Sequence, residues 1–77
     1  MPLTAREVAL LEALMRRQGA VAARRDLLRE VWGDDFDRET NVLEVYVGYL
    51  RRKIDEPFGR HSLQTLRGIG YRLVGEA

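Results

Sequence analysis

The sequence contains no cysteine and only one histidine, His61, among its 77 residues. Without cysteine, the chain can form neither a disulfide framework nor a thiolate metal site. A lone histidine also excludes a Cys-His pair and a multi-histidine metal cluster. We therefore predict that the protein is not an enzyme and uses no metal or cofactor. The lack of cysteine is also consistent with a reducing compartment.

Long hydrophobic runs are missing as well. No apolar stretch approaches the roughly 18 residues that a membrane span requires, and no signal peptide precedes Leu3. Low-complexity segments and internal repeats are absent. A chain of this length is near the lower limit for a core held by packing alone. We expect a single domain over residues 1–77.

Net charge is close to zero, at +1, but the charges are unevenly distributed. Between Asp34 and Glu44 there are five acidic residues against the single base Arg38. Between Arg51 and Arg72 there are six bases against two acids. A polyanion would be attracted to the second region and repelled by the first. The alternative is an ordinary solvated surface with mixed charges.

Two segments contain residue types that occur in ligand-binding loops. Gly68-Ile69-Gly70 lacks the third glycine of a dinucleotide-binding loop and does not open a helix. The acids of residues 34–39 lack the spacing of a calcium-binding loop, which favours a solvated or protein-contacting loop. Neither segment therefore predicts a cofactor or metal site.

The first half of the chain predicts two helices. Thr4-Ala5-Arg6-Glu7 is a capping box, and the helix that follows should end near Gly19. Its predicted buried stripe consists of Val8, Leu11 and Met15, with Leu14 beside them. A second helix should run from about Arg24 to Trp32 and stop at Gly33, with Leu27, Leu28 and Val31 facing inward. An acidic loop, residues 33–39, separates it from the next helix.

The third predicted helix starts at its expected N-cap, Thr40. Four apolar residues follow at i, i+4, i+7 and i+11 and form its inward stripe: Leu43, Val47, Leu50 and Ile54. The opposite face carries Asn41, Val45, Gly48 and Arg52. Gly48 in mid-helix costs roughly 1 kcal/mol relative to alanine, so a small residue there could permit close approach to a base edge or to another backbone. The alternative is an ordinary core helix with a charged end.

The C-terminal segment predicts a β-hairpin. The helix should fray at Asp55-Glu56, since Pro57 disfavours helical geometry in the preceding residue. Strands are expected over Leu63–Arg67 and Tyr71–Val74, on either side of the glycine turn. Three helices followed by a hairpin describe a mainly α winged helix-turn-helix with a C-terminal wing.

The chain resembles the C-terminal DNA-binding domain of OmpR/PhoB-type response regulators from Leu3 to Val74. The residues that carry the resemblance form four motifs in order: Leu3-Thr4-x-x-Glu7-x-x-Leu10-Leu11, Leu27-Leu28-x-x-Val31-Trp32-Gly33, Asn41-Val42-x-x-Val45-x-Val47-x-x-Leu50-Arg51-x-Lys53-Ile54 and Thr65-x-Arg67-Gly68-x-Gly70-Tyr71. The family implies that the third helix enters the major groove while the wing touches the minor groove or the backbone.

Site residues follow from this resemblance. The base-facing positions are Asn41, Val45, Gly48, Tyr49 and Arg52. The positions expected at the DNA backbone or in the wing are Trp32, Tyr46, Arg51, Lys53, Thr65, Arg67 and Tyr71. The residues Asp34, Asp35, Phe36 and Asp37 match a loop that contacts RNA polymerase in some members. Several relatives carry cations where this chain has Gly48 and Tyr49, so its base-reading contacts are expected to differ from theirs, and the resemblance does not predict the target sequence. Glu44 is expected either to accept from a cytosine amino group or to pair with Arg51 or Arg52.

Two parts of the family's full-length proteins are expected to be missing, the small antiparallel sheet before the first helix and the receiver domain. Without that sheet, part of the Leu10/Leu14 side should be exposed, which predicts marginal stability or self-association. The resemblance further implies tandem DNA half-sites and control of dimerisation by a sensor histidine kinase through the receiver.

The sequence thus predicts sequence-specific binding to double-stranded DNA and regulation of transcription in a two-component system. The alternative is a winged-helix protein-interaction module that uses Tyr46, Tyr49 and the acidic loop to hold a partner. A small hydrolase is a third option, and no residue constellation supports it.

Overall fold

The computed structural model describes residues 2–33 and 41–75. It contains three helices and a three-stranded sheet: α1 (Ala5–Met15), β1 (Ala22–Ala23), α2 (Arg24–Trp32), α3 (Val42–Leu50), β2 (Leu63–Leu66) and β3 (Gly70–Leu73). The winged-helix prediction is confirmed. Within these ranges no helix has the length and apolar character needed to cross a bilayer.

The capping box begins α1 as predicted. Thr4 Oγ1 accepts from the Glu7 amide at 3.2 Å, and the Thr4 amide donates to Glu7 Oε1 at 2.7 Å. The helix ends at Met15, before the expected boundary, because the chain turns through two residues with positive φ, Gln18 at 50° and Gly19 at 92°. Such left-handed geometry is incompatible with continuing the helix.

The buried face of α1 differs from the prediction. Leu10 and Leu14 are 0% and 1% exposed, whereas Val8 and Met15 are 39% and 58% exposed. The predicted stripe was therefore wrong at Val8 and Met15, and so was the expected exposure of the Leu10/Leu14 side. Apolar residues occur around most of this helix, so periodicity alone could not identify the face that meets the other helices.

Helix α2 matches its predicted bounds and stops at Gly33, whose φ is 95°. The dipeptide before it forms β1, a strand that the sequence did not predict. Ala22 and Ala23 pair antiparallel with Tyr71 and Gly70, which gives the sheet order β1-β3-β2. The hairpin is thus joined through its second strand to the start of α2.

The inward stripe of α3 is confirmed at Leu43, Val47 and Leu50, which are at most 1% exposed, whereas the fourth predicted residue, Ile54, is half-buried. Thr40, its predicted cap, lies outside the described residues. Asn41 occupies the N-cap position, and its side chain makes no capping hydrogen bond. After Leu50 the chain continues as a π-helical turn, Arg51–Asp55, and a 3₁₀ turn, Glu56–Phe58.

The helical segment ends at Asp55, at the predicted boundary, but Asp55 is held in place and does not fray. Asp55 is 3% exposed, accepts from the Ser62 hydroxyl, and accepts from the Leu63 amide at 3.0 Å. Burial raises the pKa of this carboxyl, but these hydrogen bonds and the charge of Arg51 outweigh burial, so the pKa is lowered overall. Asp55 therefore anchors the start of β2 to the end of the α3 segment.

Strand β2 is one residue shorter than predicted, and β3 has the predicted length but begins one residue earlier, at Gly70. Leu63 pairs with Leu73 and Thr65 with Tyr71, so these residues share one face. On the other face Arg72 Nε donates to Gln64 Oε1 at 2.8 Å. One core joins all these elements: Leu10, Ala13, Leu14, Ala22, Leu27, Leu28, Leu43, Val47, Leu50, Leu63 and Tyr71. Because α3 supplies three of these residues, its other face is turned to solvent.

Candidate nucleic-acid interface

The solvent-facing side of α3 carries the residues predicted to face bases. Asn41 and Arg52 are exposed, Val45 and Tyr49 are 37% and 42% exposed, and Gly48 is half-buried. An added Cβ at Gly48 would have no heavy atom within 4 Å among the described residues. Contact with another backbone of this domain therefore does not explain the glycine, and the space above it is open to a ligand.

Aromatic rings connect this face to the helices behind it. The rings of Tyr46 and Tyr49 meet edge to face at 5.4 Å between centroids, and those of Trp32 and Tyr46 do so at 5.3 Å. The guanidinium of Arg6 lies 5.4 Å from the Trp32 ring centroid. Such contacts contribute about 0.5–1.5 kcal/mol each beyond area burial, so the Tyr49 ring has an ordered support.

Glu44 points toward the wing and pairs with Arg24. Arg24 Nε donates to one carboxylate oxygen at 2.7 Å and Nη2 to the other at 3.2 Å, while Tyr71 Oη lies 3.4 Å from the carboxylate. The hydrogen bond from Arg24 is the main reason that the pKa of Glu44 is lowered. The expected pairing with Arg51 or Arg52 is wrong, because Arg24 at the start of α2 is closer.

Arg51 joins α3 to the wing. Its Nε donates to the Leu63 carbonyl at 3.1 Å and its Nη2 to Thr65 Oγ1 at 2.5 Å. A guanidinium has five N–H donors, so these bonds leave some of them for another acceptor. The primary role of Arg51 and Thr65 in the free domain is to set the position of β2 against α3.

Lys53 has an inward partner. Its Nζ donates to Glu7 Oε1 at 2.7 Å and to the Pro2 carbonyl at 3.2 Å. The side chains of Lys53 and Glu7 are 19% and 2% exposed. The geometry therefore favours a structural role for Lys53 over the predicted contact with DNA phosphate.

The wing carries its cation at the tip. Arg67 is exposed and follows β2, in a turn closed by a 3.0 Å hydrogen bond from the Ile69 amide to the Leu66 carbonyl. Gly68 occupies this turn with φ of 75°, a value that favours glycine. An open groove of about 370 Å³ lies beside the wing, and its other side is formed by Arg24 at the start of α2 and by Glu44 of α3.

Of the four cations predicted to contact DNA, two remain available to a polyanion. Within residues 2–33 and 41–75, neither Arg52 nor Arg67 forms a hydrogen bond or ion pair. The other predicted backbone contacts, Trp32, Tyr46 and Tyr71, are half-buried or buried, and Tyr71 is 7% exposed. The predicted polymerase-contact residues, Asp34, Asp35, Phe36 and Asp37, lie outside the described residues.

Sequence reasoning missed the intramolecular partners Arg24 and Glu7. Each partner is distant along the chain: Arg24 lies 20 residues from Glu44, and Glu7 lies 46 residues from Lys53. The capping box indicated Glu7, but only as a cap. In the part of the chain that the structure describes, no group of three or more acidic, histidine or cysteine side chains could hold a metal ion.

Both a family model and individual relatives match this chain, and both are transcriptional regulatory proteins. Residues 1–73 match the family described as "Transcriptional regulatory protein, C terminal". The transcriptional regulatory protein TcrA of Mycobacterium tuberculosis strain H37Rv is 51% identical over 71 residues, which cover 92% of this chain and 28% of TcrA. The chain therefore spans less than a third of this relative.

Solved structures show the same fold. The DNA-binding domain of CpxR from E. coli has a TM-score of 0.84 and 33% identity, with 100% of this chain and 76% of the CpxR chain covered. The DNA-binding domain of the response regulator AdeR, in complex with an intercistronic region, has a TM-score of 0.82 and 25% identity over 97% of this chain and 74% of that chain. Together with the family match, this similarity shows that the chain belongs to the C-terminal DNA-binding domains of OmpR/PhoB-type response regulators.

Proposed function

We propose that this domain binds double-stranded DNA in a sequence-specific manner and regulates transcription as the output domain of a two-component response regulator. The observation that carries the proposal is the division of α3 into a buried apolar stripe and an exposed face with Asn41 and Arg52 near its two ends. A helix of this kind fits the major groove. The AdeR domain, whose structure includes an intercistronic region, supports this use of the fold.

In this proposal α3 distinguishes one base sequence from another, and the wing supplies affinity for DNA of any sequence. Arg52 can donate two hydrogen bonds to the O6 and N7 of a guanine, and Asn41 can pair with an adenine edge. Arg67 at the wing tip contacts phosphate or a narrow minor groove. Arg51 and Lys53 act mainly within the domain, where they hold the elements that present these groups. The domain takes part in no chemistry of its own.

Alanine substitutions should separate the two contributions. Arg52→Ala should relax preference at one base pair by about 1–3 kcal/mol, because a bidentate base contact is lost. Arg67→Ala should weaken all duplexes to a similar degree and reduce the salt dependence of binding, because a phosphate contact is lost. Binding of both variants to a selected duplex and its single-base variants, measured at two salt concentrations, tests this. Identical base preferences in Arg52→Ala and wild type would contradict the assignment.

A protein-interaction module is the second candidate. Tyr46 is packed between Trp32 and Tyr49, which leaves Tyr49 as the more exposed ring of the three. Titration with random duplexes distinguishes the two functions, because DNA binding by counterion release weakens steeply with salt. Absent or salt-insensitive binding would favour the protein-interaction function.

The full-length protein is proposed to follow its relatives. We infer that the domain works within a longer chain with a receiver domain, that a sensor histidine kinase controls it there, and that two copies occupy tandem half-sites. The loop of residues 34–37 is proposed to contact RNA polymerase through Asp34, Asp35, Phe36 and Asp37. The protein is proposed to act in the cytoplasm and to associate with the nucleoid when bound.

Self-association of the isolated domain is proposed to use the outer side of α1. Val8 and Met15 lie two turns apart on this helix and are 39% and 58% exposed. Met15→Lys should therefore shift the sedimenting species toward monomer and remove any concentration dependence of Tm. A wild-type domain that melts above about 60 °C at all concentrations would count against this face as an interface.

A further inference from the structure

Two apolar side chains stand in the middle of the exposed α3 face. Val45 and Tyr49 are 37% and 42% exposed and are one helical turn apart. Residues at this spacing have Cβ atoms roughly 5–6 Å apart and form neighbouring parts of one surface. Polar residues that can read base edges, Asn41 and Arg52, lie on either side along the helix. This apolar pair therefore lies where a base edge would meet the helix.

Gly48 makes the surface beside this pair shallow. Apart from its two chain neighbours and the backbone of its own helix, no described heavy atom lies within 4 Å of the position that its Cβ would take. A base edge can therefore approach the helix backbone more closely here than beside any residue with a side chain. A base edge that approaches at Gly48 would have the side chains of Val45 and Tyr49 next to it.

The Tyr49 ring is held in place by its neighbours. It meets Tyr46 at 5.4 Å and 66° between ring planes, and Tyr46 meets Trp32 at 5.3 Å and 76°. Trp32 belongs to α2, so the contact series extends beyond the helix that carries Tyr49. A ring supported in this way loses little conformational entropy when it contacts a ligand. Tyr46 is accordingly a positioning residue for Tyr49.

Apolar surface in the major groove has one principal source. Every base pair offers hydrogen-bond donors and acceptors there, but among the four bases only thymine presents a methyl group, at C5. We propose that Val45 and Tyr49 contact a thymine methyl group, so that the target half-site contains a thymine opposite the centre of α3. This inference rests on the proposed DNA-binding function and adds the base that the apolar pair selects.

Uracil substitution provides the direct test. A duplex is first selected from a random pool with the wild-type domain, and each thymine is then replaced in turn by deoxyuridine, which removes the methyl group alone. At one thymine, or at two adjacent ones, we expect Kd to rise about fourfold, the loss that corresponds to one buried methyl group. Val45→Ala should bind the thymine and uracil duplexes at that position nearly equally. Tyr49→Phe, which retains the ring, should keep the preference for thymine.

Arg67→Ala is the matched control. It should weaken binding to both duplexes by the same factor and leave their ratio unchanged, because the wing does not contact this methyl group. Val45 is on the surface of α3, and an unchanged Tm for Val45→Ala establishes that the fold is intact. If uracil is tolerated at every position while binding remains salt-dependent, methyl recognition is wrong and DNA binding stands. A fourfold preference that survives in Val45→Ala also overturns the assignment. Failure to select any duplex overturns both proposals.

Discussion

Gly70→Ala should destabilise the domain by about 3 kcal/mol, at the upper end of the usual cost of overpacking. A Cβ at this position would lie 1.9 Å from the Ala22 carbonyl oxygen, 2.9 Å from its carbonyl carbon and 3.0 Å from the Ala23 Cα. All three are backbone atoms of β1, so no side-chain rotation can relieve the contact. The pairing of Ala23 with Gly70 must open, which detaches the wing from the start of α2.

Urea denaturation of wild type and variant measures this loss, and Gly48→Ala is the matched control. Gly48 lies in mid-helix, and its added Cβ would meet no described atom within 4 Å. Gly48→Ala should therefore raise the free energy of unfolding by up to about 1 kcal/mol. The same change, Gly to Ala, thus has opposite signs at two positions. A Gly70→Ala variant as stable as wild type would show that β1 is not required for the fold.

Glu7→Gln should lower the free energy of unfolding by about 3 kcal/mol. This is the lower end of the range for breaking a buried ion pair by removing one partner. The Glu7 side chain is 2% exposed and accepts from Lys53 Nζ at 2.7 Å. Glutamine preserves the volume and can still accept from the Thr4 amide, so the capping box survives. Lys53, at 19% exposed, is left without its countercharge, and this is the source of the cost.

Two comparisons isolate the ion pair. The combined change Glu7→Gln and Lys53→Met should cost less than the sum of the single changes, because it leaves no uncompensated charge. Glu30→Gln breaks the more exposed ion pair between Arg17 and Glu30, in which the two side chains are 23% and 34% exposed. This change should lower the free energy of unfolding by less than about 1 kcal/mol. If Glu7→Gln destabilises the domain no more than Glu30→Gln does, the Glu7–Lys53 pair contributes no more to stability than an exposed ion pair.

Acidic pH should remove the contribution of Glu7 to the stability of the fold. The hydrogen bond from Lys53 is the main cause that lowers the pKa of Glu7 below its ordinary value of 4.5, with the Thr4 amide next. A carboxyl whose pKa is lower in the folded state stabilises the fold fully above pH 4.5 and loses this contribution as pH falls through the folded pKa. Stability measured from pH 7 downward should therefore fall less steeply below pH 4.5 in Glu7→Gln than in wild type. Parallel curves would exclude Glu7 as a source of the acid sensitivity.

Local patterns in the sequence were sufficient for much of the fold. The capping box at Thr4, the stop at Gly33 and the inward residues Leu43 and Val47 all appear in the structure as predicted. These features depend on backbone geometry and on helical periodicity over a few neighbouring residues. The exposed face of α3 followed directly, because the residues opposite a buried stripe must point to solvent.

The tertiary structure decided which charges remain available. Along the chain, Arg51, Arg52, Lys53 and Arg67 look interchangeable, yet Arg51 is bonded to the wing and Lys53 to Glu7. Residues next to each other on a helix point about 100° apart, so adjacent cations meet different surroundings. Their partners lie 12 to 51 residues away, beyond what a local pattern encodes.

The same reason applies to β1 and to the buried side of α1. Ala22-Ala23 has no strand signal of its own, and it pairs only because β3 presents a glycine backbone to it. Helix α1 has apolar residues on several sides, and contact with the rest of the core buries Leu10 and Leu14 while Val8 and Met15 stay exposed. The sequence by itself thus determined the helices, the turns and the exposed face of α3. Packing between distant segments determined which charged groups hold the domain together and which are left to bind.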